Sequence, residues 1–225
     1  MKKIRMGNLS IGSPKWITKV MIAAALCAVI TVSRILSGAA VSYAAEKKQP
    51  LKVDFCGKTA TLMKDVYQWE QGSQVKIKTI EKKWGKPEKK EPGFDNGTWD
   101  YTWKKGKTSI TMNNYSGTAL GDVGGISIEI NDKNVSIYGV KVGMKKDQAL
   151  KNLKKAVGSE KVIVLKEGEW PTGEDKDGCL IRLTSDSGEA TGDKEVIHVA
   201  MGPYMPMQIE LTAGGKVKKI YYMNS

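Results

Sequence analysis

Two stretches of this chain share one apolar rhythm, and that rhythm limits its folding more than any other feature. SQVKIKTIEKKWG (residues 73–85) and KKDQALKNLKKAVG (residues 145–158) align on their closing glycines, Gly85 and Gly158. Leu150, Leu153 and Val157 then fall on Ile77, Ile80 and Trp84, and Lys155 falls on Lys82. The spacing i, i+3, i+7 gathers three apolar side chains on one helical face. The glycine after each stretch is the residue that most cheaply closes a helix. Short alternating runs follow each helix. The expected fold is therefore α+β, a tandem repeat of short helices packed on antiparallel sheet, with units at residues 61–138 and 139–225.

Local signals fill in this plan. Leu62, Val66 and Trp69, spaced i, i+4, i+7, predict a leading helix over about residues 61–70. Ser73 is placed to cap the next helix, and Gly85-Lys86-Pro87 ends it. Residues 89–97 read as a loop. Thr98 to Lys104 and Thr108 to Met112 alternate and predict a hairpin. Ile126, Ile128 and Ile130 mark a third strand, and Val135 to Tyr138 a fourth. In the second unit, strands are expected at Val162 to Leu165, Leu180 to Leu183, Val196 to Ala200, Met207 to Leu211 and Val217 to Met223. Residues 167–178 read as an acidic loop.

The first 44 residues have the composition of an export signal. Lys2, Lys3, Arg5, Lys15 and Lys19 form a basic n-region, and Val20 to Val32 is apolar. Ser42-Tyr43-Ala44 supplies the small residues of a cleavage site after Ala44, with Ala45 the near alternative. The apolar run is shorter than the roughly 20 residues that span a bilayer. Retention as a membrane anchor is the competing reading, because residues 35–45 are also apolar. Leu26 before Cys27 does not suit a lipoprotein box. Residues 45–60 read as a polar linker into the fold.

Cleavage changes the charge argument. The leader holds six basic residues (the five named and Arg34) and no acidic one, so the formal +12 of the chain falls to +6. That balance supports weak, nonspecific attraction to an anionic cell wall, and no nucleic-acid-reading motif accompanies it. Outside the cell the remaining cysteines, Cys56 and Cys179, are a candidate disulfide, the alternative being two unpaired thiols. One histidine, His198, and no CxxC spacing argue against a metal site. No cofactor motif is present.

The stretch VKIKTIEKKWGKPE, followed by GTWDYTW, resembles an uncharacterised family of secreted Gram-positive proteins, carried here by Ile77, Ile80 to Pro87, Gly97, Thr98 and Tyr101. VGMKKDQALKNLKKAVG is similar to the GMSxxEVxxxLG helix of the β-lactamase-inhibitor-protein-like superfamily and the small outer-membrane assembly lipoproteins, through Gly143, Met144, Ala149, Leu150, Leu153 and Gly158. Lys145 and Lys146 stand where that pattern has a capping Ser or Thr. The resemblance implies a β-lactamase-inhibitor-like sheet surface that holds a protein partner. It carries over no functional residue.

The candidate binding residues are Trp99, Tyr101, Trp103 and Trp170. An aromatic ladder on one strand face grips a protein or a glycan with large, rigid contact area; the same alternation also marks a face buried against helices. Trp170 sits in a loop as a separate candidate anchor. Glu167, Glu169, Glu174, Asp175, Asp177, Asp186, Glu189 and Asp193 lack the spacing of a calcium loop. His198, within an alternating strand and without a GxSxG partner, reads as a solvent-facing strand residue. The functional expectation is a secreted, non-enzymatic binding module at the cell envelope, with a secreted or envelope protein as its partner. The alternatives are a cell-wall-active enzyme or its accessory subunit, and a structural envelope protein.

Overall fold

A computed structural model describes residues 48–67, 73–94, 97–114, 121–176, 179–185, 190–202 and 206–224. The expected export signal, Trp69 and the acidic residues Asp177, Asp186 and Glu189 lie outside them. Among the described residues are fourteen strands and only two α-helices.

Chain order begins with a hairpin rather than a linker and a helix. β1 (Leu51–Phe55) and β2 (Lys58–Met63) pair antiparallel around Cys56-Gly57. Both turn residues have positive φ, 54° and 83°, as the favoured two-residue hairpin turn requires. The predicted leading helix is thereby overturned over its first residues. Ala60 and Leu62 alternate into the core, and pairing with β1 satisfies the backbone that a helix would have satisfied internally.

α1 (Ile77–Trp84) and α2 (Lys146–Val157) form where the two rhythms place them. Neither has a side-chain N-cap, and Gly85 (φ 91°) and Gly158 (φ 105°) close them. Ser73 does not cap α1; its hydroxyl accepts the Val75 N–H at 3.1 Å. A helix of eight residues is marginal by itself, so α1 depends on burying Ile77, Ile80 and Trp84. α2 buries Ala149, Leu153 and Val157, with Leu150 only partly covered.

The remaining strands are β3 (Lys89–Pro92), β4 (Trp99–Lys105), β5 (Thr108–Asn113), β6 (Ile126–Ile130), β7 (Val135–Ile137), β8 (Val140–Lys141), β9 (Val162–Lys166), β10 (Pro171–Lys176), β11 (Cys179–Ser185), β12 (Glu195–Ala200), β13 (Pro206–Leu211) and β14 (Val217–Asn224). Eight of them form one antiparallel sheet in the order β3-β4-β5-β6-β14-β13-β12-β9. A four-stranded sheet has the order β2-β1-β7-β8, and β10-β11 is a separate ribbon.

This architecture corrects the expected α+β tandem repeat. The protein is mostly β, and its halves do not each carry a sheet beneath helices. They share one sheet, sewn together where β6 meets β14 in the register Ile130↔Ile220, Ile128↔Tyr222 and Ile126↔Asn224. The fourth strand expected beside β6 instead leaves for the small sheet, where β7 pairs with β1. Residues 51–63, mostly in the expected linker, supply β1 and β2 of that small sheet, the first unit adds β7 and the second adds β8 and the ribbon.

One face of the large sheet turns toward a core shared with the small sheet and both helices. Trp103, Ile110, Ile128, Tyr222, Ile209 and Ile197 line it, with Leu51, Val53, Leu62, Ile80 and Leu153 opposite. Each such side chain, fully buried, stabilises by about 1.5–3 kcal/mol. An aromatic trio locks three elements together. Trp84 of α1 lies 5.3 Å from the Phe55 ring of β1 and meets Trp103 of β4 edge-on at 5.8 Å. Trp84 Nε1 donates to the Lys58 carbonyl at 2.7 Å, and Trp103 Nε1 to the Gly85 carbonyl at 2.9 Å.

Trp84→Ala should therefore cost about 3–5 kcal/mol, since it opens a cavity and frees a carbonyl. Because the rings touch, Trp84→Ala combined with Trp103→Ala should cost less than the two losses added. Urea midpoints of the two single variants and the double variant check this.

Candidate functional site

The ladder on β4 is neither wholly core nor wholly surface. Trp103, Tyr101 and Trp99 point to one face, but α1 ends over Trp103. Exposure accordingly rises outward along the strand: Trp103 is 2% exposed, Tyr101 half-buried and Trp99 40% exposed. The core reading holds for Trp103 and the surface reading for Trp99.

What surrounds Trp99 comes from a segment read as a loop. β3 pairs with β4 through Lys90↔Tyr101 and Pro92↔Trp99. In antiparallel pairing, opposed residues share a face, so Lys90 lands beside the rings. Its ammonium lies 4.7 Å from the Trp99 ring centroid and 5.2 Å from that of Tyr101, within cation–π range. Lys89 is drawn to Glu91 at 2.6 Å. Beyond the strand pair, Gly93 N–H donates to the Thr98 carbonyl at 3.0 Å, and Phe94 stands fully exposed. The hairpin thus presents Phe94, Trp99, Tyr101 and Lys90.

Sequence reasoning missed Lys90 and Phe94. The available signal was an aromatic next to Pro92-Gly93, where turn chemistry favours small and polar side chains. As the outermost strand of the large sheet, β3 (KKEP) carries two lysines and a proline, which blunt an edge against strand addition.

Trp170, 68% exposed, precedes β10 in the other half of the chain and shares no ring contact with the hairpin among the described residues. Cys56 is an exposed free thiol on the β1–β2 turn, and Cys179 opens β11 in the ribbon. Glu167 pairs with Lys194 at 3.4 Å, and Glu169 accepts the Lys166 N–H at 2.7 Å. Among the described residues no three metal-ligating side chains converge, and no helix is long and apolar enough to cross a membrane.

His198 is not solvent-facing. It points away from the main core, yet only 3% of it is exposed. β11 lies against β9 and β12 and covers that face, burying Leu165 and Leu183 as well. His198 Nδ1 has no hydrogen-bond partner, and burial lowers the imidazole pKa because the charged form loses hydration. Among the described residues the ring has no acid partner to polarise it, and burial favours its neutral form.

Comparison with known proteins finds no matching family model, no matching curated protein and no matching solved structure.

A folded pKa below the unfolded 6.5 means that the unfolded chain binds the extra proton. Stability should thus be full above about pH 6.5, fall as pH drops toward the folded value, and level off below it. His198→Gln should remove this part of the pH dependence, measured as the change in urea midpoint between pH 7.5 and 5.

Proposed function

We propose that the chain is an exported, non-catalytic binding module of the cell envelope. It docks a secreted or envelope protein on the aromatic face of the β3–β4 hairpin. The observation that carries this reading is the cluster of Trp99, Tyr101 and Lys90 beyond the end of α1, with Trp99 exposed and Phe94 fully exposed on the same hairpin. Rigid aromatic side chains with a cation among them provide contact area at low entropic cost.

The chemistry of the hairpin favours a protein over an anionic wall polymer. Its positive charges are already engaged, Lys90 by two rings and Lys89 by Glu91. What remains to be satisfied is apolar area, best buried by a complementary apolar surface. Because β3 is guarded at its edge, the partner lies on the face of the hairpin instead of extending the sheet.

The test is capture from envelope extract and from purified cell wall by the chain beginning at Ala45, at low and at moderate salt. A protein partner should stay bound at moderate salt, since apolar contact is not screened. Trp99→Ala should weaken that binding by about tenfold or more, as for an interface hot spot. Retention by cell wall alone, only at low salt and equally by Trp99→Ala, would overturn the proposal in favour of nonspecific charge.

A further inference from the structure

At the opposite end of β4 from Trp99, three turns enclose an open pocket of about 390 Å³. Its wall includes Lys105 at the end of β4, Lys133 in the β6–β7 turn, Lys141 of β8 and Cys56 of the β1–β2 turn. Asn134 and Ser136 add neutral hydrogen-bonding groups.

The turns are fastened to one another. Cys56 N–H donates to the Asn134 carbonyl at 3.0 Å. Thr108 Oγ1, beside the β4–β5 turn, accepts both the Asn131 and Asp132 N–H groups at 2.8 Å. The pocket is thus preorganised rather than gathered from loose loops.

Its charge is unbalanced. Asp54, the one carboxylate in the wall, accepts the Gly57 N–H at 2.8 Å and the Thr59 hydroxyl at 2.9 Å. Nearby Asp132 accepts the Asn134 N–H at 2.7 Å. Six lysines elsewhere pair with carboxylates, yet among the described residues Lys105, Lys133 and Lys141 form no ion pair. Three like charges around one concavity repel one another, and a bound anion relieves that repulsion.

The residue chosen at the turn is a further oddity. Cys56 holds φ 54° at the first turn position, where Asn, Asp or Gly is usual. The fold tolerates a poorly suited residue there, and its thiol stands at the wall of the basic pocket.

We propose that this pocket binds a small multivalent anion bearing phosphate or carboxylate groups, held by Lys105, Lys133 and Lys141, with the Cys56 thiol beside it. This site is independent of the hairpin and stands or falls separately.

The thiol supplies the readout. In the Ala45 chain carrying Cys179→Ser, Cys56 is the only thiol. Its thiolate, formed by loss of the proton to solvent, attacks a disulfide R–S–S–R. A Cys56–S–S–R bond forms, and R–S⁻ leaves. The probes are dianionic 5,5′-dithiobis(2-nitrobenzoate) and neutral 2,2′-dithiodipyridine.

Relative to the urea-unfolded chain, folding should favour the dianionic over the neutral probe by about tenfold, as a basic cleft concentrates counter-ions. Lys105→Gln, Lys133→Gln and Lys141→Gln together should abolish that preference, with urea midpoints confirming that the fold persists. Pyrophosphate and citrate, tested separately, should protect Cys56 saturably, and whichever protects better names the chemistry. An unchanged probe preference would overturn the proposal. So would slowing that merely follows ionic strength, the same in sodium chloride, since that is a diffuse field and not a site.

Discussion

The pairing of β6 with β14 is the constraint on which the rest of the fold depends. Strands β3 to β6 come from one part of the chain and β9, β12, β13 and β14 from another, and only this ladder makes them one sheet. Its register also sets the core. With Ile128 opposite Tyr222 and Ile130 opposite Ile220, the inward rows of both halves run as one apolar surface. A slip by one residue would turn each of these side chains to the other face. The small sheet and the two helices then have one continuous surface to cover.

Where that cover stops, chemistry begins. α1 reaches Trp103 and ends at a glycine, and the same strand face continues outward through Tyr101 to Trp99. Beyond the other end of β4, the turns of both sheets meet around Lys105, Lys133 and Lys141, which form no ion pair among the described residues. One seven-residue strand therefore runs from an aromatic surface, through the centre of the core, to a basic concavity.

The helices were legible because their signal is local. Ile77, Ile80 and Trp84, or Leu153 and Val157, reveal a helical face within a dozen residues. The strands β4, β5, β6, β12, β13 and β14 were legible by alternation. The partner of each strand was not, because pairing between distant segments leaves no mark on either one. Leu62 and Val66 fit a helical period, but Ala60 and Leu62 fit an alternating one, and only the presence of β1 decides between them. Lys90 shows the same limit for the site, since its place over Trp99 and Tyr101 follows from a register that no single segment encodes. His198 looked solvent-facing because β11, legible as a strand over Leu180 to Leu183, carries no mark of the face on which it packs.

The position of β14 also orders events in time. Among the described residues it follows every other strand in chain order, yet it lies in the middle of the large sheet. While the chain is being made or threaded through a pore, the earlier strands emerge without the neighbour that completes their ladder. Closing the sheet waits for Val217–Asn224, and the contacts that form then span much of the chain, which makes the step slow. Until that segment is available, the strands on either side of it cannot join into one sheet.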